Sequence, residues 1–146
     1  MIRKPFLLLF LVLISFPLFS QSSPSDKILG VWLNEEKDGE IEIYKTGDKY
    51  FGKIVGGKNL LEGDGKTLRK DAKNPSLKAR NKPLLHLVIL TDFDFDGREW
   101  TDGKIYDPKS GKTYSSTMKL NGNKLELRGY VGISLFGRTT VWEREN

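Results

Sequence analysis

The sequence predicts an all-β fold: a small up-and-down antiparallel barrel of about eight strands, with one long loop that carries a short helical turn. Three observations point there. From Ile28 onward the apolar residues mostly recur with period two, the spacing of a strand with one face in a core. Gly, Asn and Asp interrupt that alternation at short intervals, in Lys37-Asp38-Gly39, Thr46-Gly47-Asp48, Asp107-Pro108-Lys109-Ser110-Gly111 and Asn121-Gly122, and such clusters supply the backbone angles of tight turns. So many strands in so short a chain leave exposed edges unless the sheet closes on itself. A two-sheet sandwich is the other arrangement this pattern allows.

The chain starts with a separate element. Arg3 and Lys4 precede an apolar run from Phe6 to Phe19, which gives way to Ser20, Ser22 and Ser23. A basic start, a short apolar core and a small polar exit form a secretory signal peptide. The run falls short of the ~20 residues a membrane-crossing helix needs, and Pro17 disturbs its end. Residues 1–20 are therefore assigned to the signal peptide, 21–27 to a short linker and 28–146 to a single barrel domain. Cleavage is expected between Ser20 and Gln21. The mature protein is then periplasmic or secreted and spans no membrane. The chain has no cysteine, so export brings neither disulfides nor a lipidated N-terminal thiol.

The strands follow in order, at about Gly30 to Asn34, Glu40 to Lys45, Tyr50 to Val55, Leu84 to Thr91, Lys104 to Asp107, Lys112 to Leu120, Lys124 to Tyr130 and Arg138 to Arg144. Ile41 and Ile43 alternate with Glu40 and Glu42, and Leu125 and Leu127 with Lys124, Glu126 and Arg128, so one face of the sheet is wet. From Gly56 to Lys82 the alternation lapses into Gly, Lys, Asp and Asn, the longest loop, which reads as a solvated connector with a working lid as the alternative. Inside it, Asn74-Pro75 before Ser76-Leu77-Lys78-Ala79-Arg80 reads as a helical turn, with Asn74 as N-cap and Pro75 at the first helical position.

Charge excludes one class of partner. The formal net charge is +5; without Arg3 and Lys4, 22 bases face 19 acids, about +3. Bases and acids are interspersed with no basic stripe to track phosphates, so no nucleic-acid partner is expected.

Catalytic and metal motifs fail on spacing. Asp92, Asp94 and Asp96 before Gly97 resemble the start of a calcium loop, and are the weak metal candidates. Gly103 stands where the bidentate Glu belongs, and the same acids are explained as the solvated tip of a wide hairpin, with Phe93 and Phe95 turned to the core or rim. Gly65-Lys66-Thr67 and Gly111-Lys112-Thr113 lack the earlier glycine of a phosphate loop, Leu60 and Tyr106 standing there. The one histidine, His86, falls in an apolar strand and reads as packed, with no cysteine to pair with. Ser134 misses the nucleophile-elbow spacing, and no spacing singles out a carboxylate pair. No catalytic residue, metal or cofactor is assigned.

Gly30-Val31-Trp32, Asp71-Ala72-Lys73-Asn74-Pro75, Gly103-Lys104-Ile105-Tyr106-Asp107-Pro108, Ser110-Gly111-Lys112-Thr113-Tyr114, Arg128-Gly129-Tyr130, and Leu135-Phe136-Gly137-Arg138 with Trp142 resemble, in order, the bacterial domain of unknown function 2147 family. The resemblance implies an exported, lipocalin-like barrel of no established activity. Gly30-Val31-Trp32 is also similar to the Gly-x-Trp signature of lipocalins, in which the Trp plugs the barrel base under an Arg of the last strand. That implies base roles for Trp32 and Arg144.

Tyr106, Tyr114, Arg128, Tyr130 and Arg138 are the candidate ligand contacts. If Trp142 points inward, alternation carries Arg138 inward too, and a buried guanidinium needs an acidic partner such as Asp107 or an anionic ligand. Arg128-Gly129-Tyr130 is similar to the Arg-x-Tyr pair that holds the carboxylate in fatty-acid-binding barrels, but alternation with Leu125 and Leu127 turns Arg128 outward unless Gly129 bulges the strand. The expected function is a noncatalytic binding module for a small apolar or amphipathic ligand. The alternative is an envelope protein-interaction module with a solid barrel, and the third reading a hydrolase-like enzyme.

Overall fold

The computed structural model describes residues 15–17 and 21–146; the signal peptide assigned to 1–20 falls almost wholly outside them. Among the described residues eight strands form a closed antiparallel barrel in sequence order: β1 (Gly30–Leu33), β2 (Glu40–Thr46), β3 (Lys49–Gly56), β4 (Val88–Phe95), β5 (Trp100–Asp107), β6 (Lys112–Asn121), β7 (Lys124–Tyr130) and β8 (Arg138–Arg144). Closure is made by β1 against β8, where Trp32 faces Arg144 and Leu33 faces Glu143. That ladder is short, and a side chain extends it: Glu35 Oε1 accepts from the Val141 amide at 3.2 Å. No described helix is long and apolar enough to cross a membrane.

Alternation sets the inward face. Ile41, Ile43, Leu125 and Leu127 are buried, while Glu40, Glu42, Lys124, Glu126 and Arg128 face out. The buried core gathers Ile28, Trp32, Ile43, Tyr50, Leu90, Phe93, Trp100, Met118 and Leu125 among others, and each such side chain contributes about 1.5–3 kcal/mol by leaving water.

Two strands differ from the expectation, for one physical reason. β4 begins at Val88 rather than Leu84 and runs on to Phe95, and β5 begins at Trp100 rather than Lys104. Asp92 (φ 61°) and Asp102 (φ 59°) both sit in the left-handed region, which Asp tolerates better than most residues. Each makes a bulge. Tyr50 faces Phe93 while Gly52 faces Leu90, so three β4 residues span two of β3; Trp100 faces Met118 while Gly103 faces Ser116 on the other side. A bulge puts two consecutive residues outward and shifts the phase of the alternation, bringing Phe93 and Trp100 into the core. Asp92 and Asp94 are thus strand residues, and only Asp96 sits in the turn. Gly103 completes the arrangement: a Cβ there would lie 2.3 Å from the Phe93 ring.

His86 is not in a strand. It lies exposed in the turn before β4 with φ 68°, its amide donating to Ile54 O at 2.7 Å. The long loop is also more than a connector. Leu61 pairs with Leu68 and Lys70 with Pro83; Asp71, 1% exposed, accepts from the Tyr106 hydroxyl at 2.6 Å and from Asn74 Nδ2 at 2.7 Å. That bond ties the loop to β5. The helical turn is a 3-10 turn at Ala79–Asn81, and Asn74 Oδ1 accepts from the Ser76 amide instead of capping a helix. Within the stretch read as a linker, a 3-10 turn at Pro24–Ile28 lies under the barrel and buries Ile28.

Candidate ligand-binding cavity

The barrel has two unlike ends. At one, Trp32 is fully buried and its Nε1 donates to Ile28 O at 2.9 Å. The Arg144 guanidinium lies 4.2 Å from the centre of the Trp32 ring, and its nitrogens donate to Leu29 O and Lys27 O. A cation on an indole face adds about 0.5–2 kcal/mol to the burial. The Tyr50 hydroxyl donates to Asp26 at 2.8 Å, and Lys45 pairs with the same carboxylate at 3.3 Å. The Tyr50 bond, with help from Lys45, holds the Asp26 carboxyl below its ordinary pKa. This end is sealed.

The other end holds a cavity of about 480 Å³. Inward residues of five strands and the start of β4 wall it: Ile41, Ile54, Ile89, Ile105, Leu127 and Trp142. Leu60 of the long loop and Leu84, just before β4, close one side. The space exists because side chains are missing. Gly129 points inward between Leu127 and the rim, and a Cβ there would meet nothing nearer than Ile105 Cγ2 at 3.6 Å, so a larger side chain would project into open volume.

The rim is polar and uneven. On the β1–β2 side stand Glu35, Glu36 and Asp38, with Lys109 reaching across to Glu36 and, at 3.0 Å, to Asp38. Burial alone would raise the Asp38 carboxyl; hydrogen bonds from Asn34 and Lys109 outweigh it and hold the pKa down. The bond to Glu36, foremost, raises Lys109. On the β8 side stands Arg138, which lines the cavity at its exposed mouth and, among the described residues, forms no ion pair or side-chain hydrogen bond. Asp107 is not its partner: that carboxylate accepts from Ser110 Oγ at 2.7 Å and the Lys109 amide at 3.0 Å in its own turn.

The sequence-derived candidates therefore divide. Tyr106, Tyr114 and Arg138 meet around the cavity. The Tyr106 hydroxyl is already committed to Asp71, and burial, reinforced by that bond, pushes its pKa up to about 12. Arg128 and Tyr130 are a correction: they do not line the cavity, because Gly129 continues the alternation without a bulge and points inward in their place. Arg128 instead donates to Ser134 O, Leu135 O and Thr139 Oγ1 on the outside. The three weak metal candidates do separate things. Asp94 pairs with Lys49 at 2.6 Å, Asp96 accepts from the Arg98 and Glu99 amides, and Asp92 makes its bulge. Among the described residues no three His, Cys, Asp or Glu side chains gather to hold a metal ion. Sequence reasoning did not assemble the aliphatic wall or Gly129; the alternation marked the strand positions as inward, but no motif marks an empty volume.

The profile of a family described as an uncharacterized protein conserved in bacteria (DUF2147) matches residues 30–144. Among solved structures, protein HP1028 from the human pathogen Helicobacter pylori, described as belonging to the lipocalin family, is similar to this chain at 28% identity and a TM-score of 0.72, over 82% of this chain and 84% of that one. No curated protein matches.

Proposed function

The chain belongs to the DUF2147 family, and from that premise we propose that its barrel is a noncatalytic binding module holding one small apolar or amphipathic molecule in the open half of its interior. The observation that carries this reading is the cavity of about 480 Å³, apolar in its depth and bordered by a guanidinium that has no partner among the described residues. Ligand pockets run to roughly 300–1,000 Å³ with few polar groups among apolar walls, and small barrels either fill with side chains or hold one such ligand. Here the apolar part of the ligand rests among Ile41, Ile54, Ile89, Ile105, Leu127 and Trp142. A polar end sits at Tyr114 and Arg138, whose planar fork of donors suits a carboxylate. The proposed setting is the periplasm or the cell exterior, reached through the signal peptide, where a sealed base and one mouth suit a molecule that water solvates badly.

Calorimetric titration with dodecanoate and with dodecanol tests it. Both bind with one molecule per chain, and Arg138→Gln weakens dodecanoate roughly tenfold while leaving dodecanol unchanged, since a hydrogen bond to a charged group contributes about 1.5–3 kcal/mol. Absence of saturable binding by either compound would contradict the reading.

A further inference from the structure

Between β7 and β8 the chain reads Val131-Gly132-Ile133-Ser134-Leu135-Phe136-Gly137, and it exposes its apolar side chains: Val131 76%, Ile133 58%, Leu135 76% and Phe136 80%. Single exposed apolar residues are ordinary, but four on one short connection form a contiguous tip of the kind that marks an interaction site. The tip is held in shape. Arg128 Nε donates to Ser134 O at 2.7 Å, Nη2 to Leu135 O at 3.1 Å and Nη1 to Thr139 Oγ1 at 2.8 Å, around a 3-10 turn at Ser134–Phe136. The Arg128 guanidinium, expected at the ligand, instead fixes a loop that faces water.

Its position gives the partner. Gly129 and Arg138, just before and just after this connection, both line the cavity, so the tip stands on the mouth. From Leu127 to Trp142 the chain carries Arg128 and Arg138 and no carboxylate, whereas the acids of the rim lie in the β1–β2 turn and, as Asp107, at the end of β5. We propose that this loop docks the barrel on a phospholipid bilayer, with Leu135 and Phe136, flanked by Val131 and Ile133, entering the interfacial layer and Arg138 meeting lipid phosphates. A stable protein complex takes roughly 20–30 residues a side, which a projecting tip of four side chains does not offer. A few apolar side chains beside a cation are what reversible attachment to an anionic bilayer uses. The purpose of docking, passing a poorly soluble molecule between membrane and cavity, rests on the proposed function; the docking itself does not.

Flotation of the purified protein with vesicles of phosphatidylethanolamine and phosphatidylglycerol tests it, beside the double variant Leu135→Ser/Phe136→Ser. Neither residue lines the cavity, so dodecanoate titration of the variant reports that its barrel is intact. The protein floats with the vesicles, and the variant loses at least roughly tenfold in partitioning, since it gives up the two apolar side chains that enter the bilayer. A protein that stays with the buffer, or a variant that floats equally well, overturns the proposal. So does a dimer seen by light scattering that the variant abolishes without any vesicle binding, which assigns the tip to a second copy. Vesicle binding with no dodecanoate uptake upholds docking and rejects the cavity's role, and the reverse result rejects docking alone.

Discussion

Trp32 and Trp142 stand on neighbouring strands of one barrel, both point inward, and both are nearly inaccessible to water, yet they do opposite things. Trp32 is enclosed on every side: its Nε1 is bonded to Ile28 O, its face is covered by Arg144, and Tyr50, Phe93, Trp100 and Met118 fill the rest of that end. Trp142, opposite Leu125 on β7, has its other side on the cavity. The same eight strands make a plug at one end and a container at the other, and the difference lies in residue size. Bulges at Asp92 and Asp102 turn Phe93 and Trp100 into the base, while Gly129 leaves the mouth open.

If the base is the part that stabilises, Trp32→Ala should be the most damaging single change, about 3–5 kcal/mol in denaturant unfolding, the range for truncating a buried aromatic. A loss under about 1 kcal/mol would mean that the two ends do not differ in this way. Gly129→Leu asks the converse question of the mouth. It should alter stability by under about 1.5 kcal/mol, because the cavity accepts the new side chain, but weaken dodecanoate binding roughly tenfold or more by occupying its volume.

Tyr106→Phe examines the link between long loop and barrel. Burial disfavours the charged phenolate and the neutral phenol is the form that donates to Asp71, so the folded pKa, about 12, lies above the ordinary 10.0. Its contribution is complete below pH 10 and is lost as the pH rises through about 12. Unfolding stability measured across that window should fall more steeply for the unsubstituted protein than for the Phe variant. At neutral pH the variant should be less stable by about 1–2 kcal/mol, the cost of removing a donor from the buried Asp71 carboxylate while Asn74 remains. The smallest effect belongs to Ser116→Ala. Ser116 is fully buried and its Oγ has no partner among the described residues, so its removal should leave stability unchanged or raise it by no more than about 1 kcal/mol.

Much of the barrel, though not its cavity, was legible in the sequence. Period-two alternation located most strands and turned Leu127 inward; it turned Arg128 outward only if Gly129 made no bulge, and carried Arg138 inward only if Trp142 pointed inward. What it missed has physical causes. A non-glycine residue at positive φ leaves no clear mark in a sequence, so the bulges at Asp92 and Asp102 hid the true extent of β4 and β5 and left His86 misplaced. Asp71 and Tyr106 meet across 35 positions of chain, a contact no local pattern encodes. The cavity is an absence of side chains, legible only when opposite walls are brought together.

The three tryptophans offer the most direct measurement of the central claim, since Trp32 and Trp100 belong to the base and Trp142 to the cavity wall. In a nitrogen-15 NMR titration with dodecanoate, the indole resonance of Trp142 should move saturably while those of Trp32 and Trp100 hold their positions. Equal movement of all three, or movement of none, would contradict a barrel sealed at one end and receptive at the other.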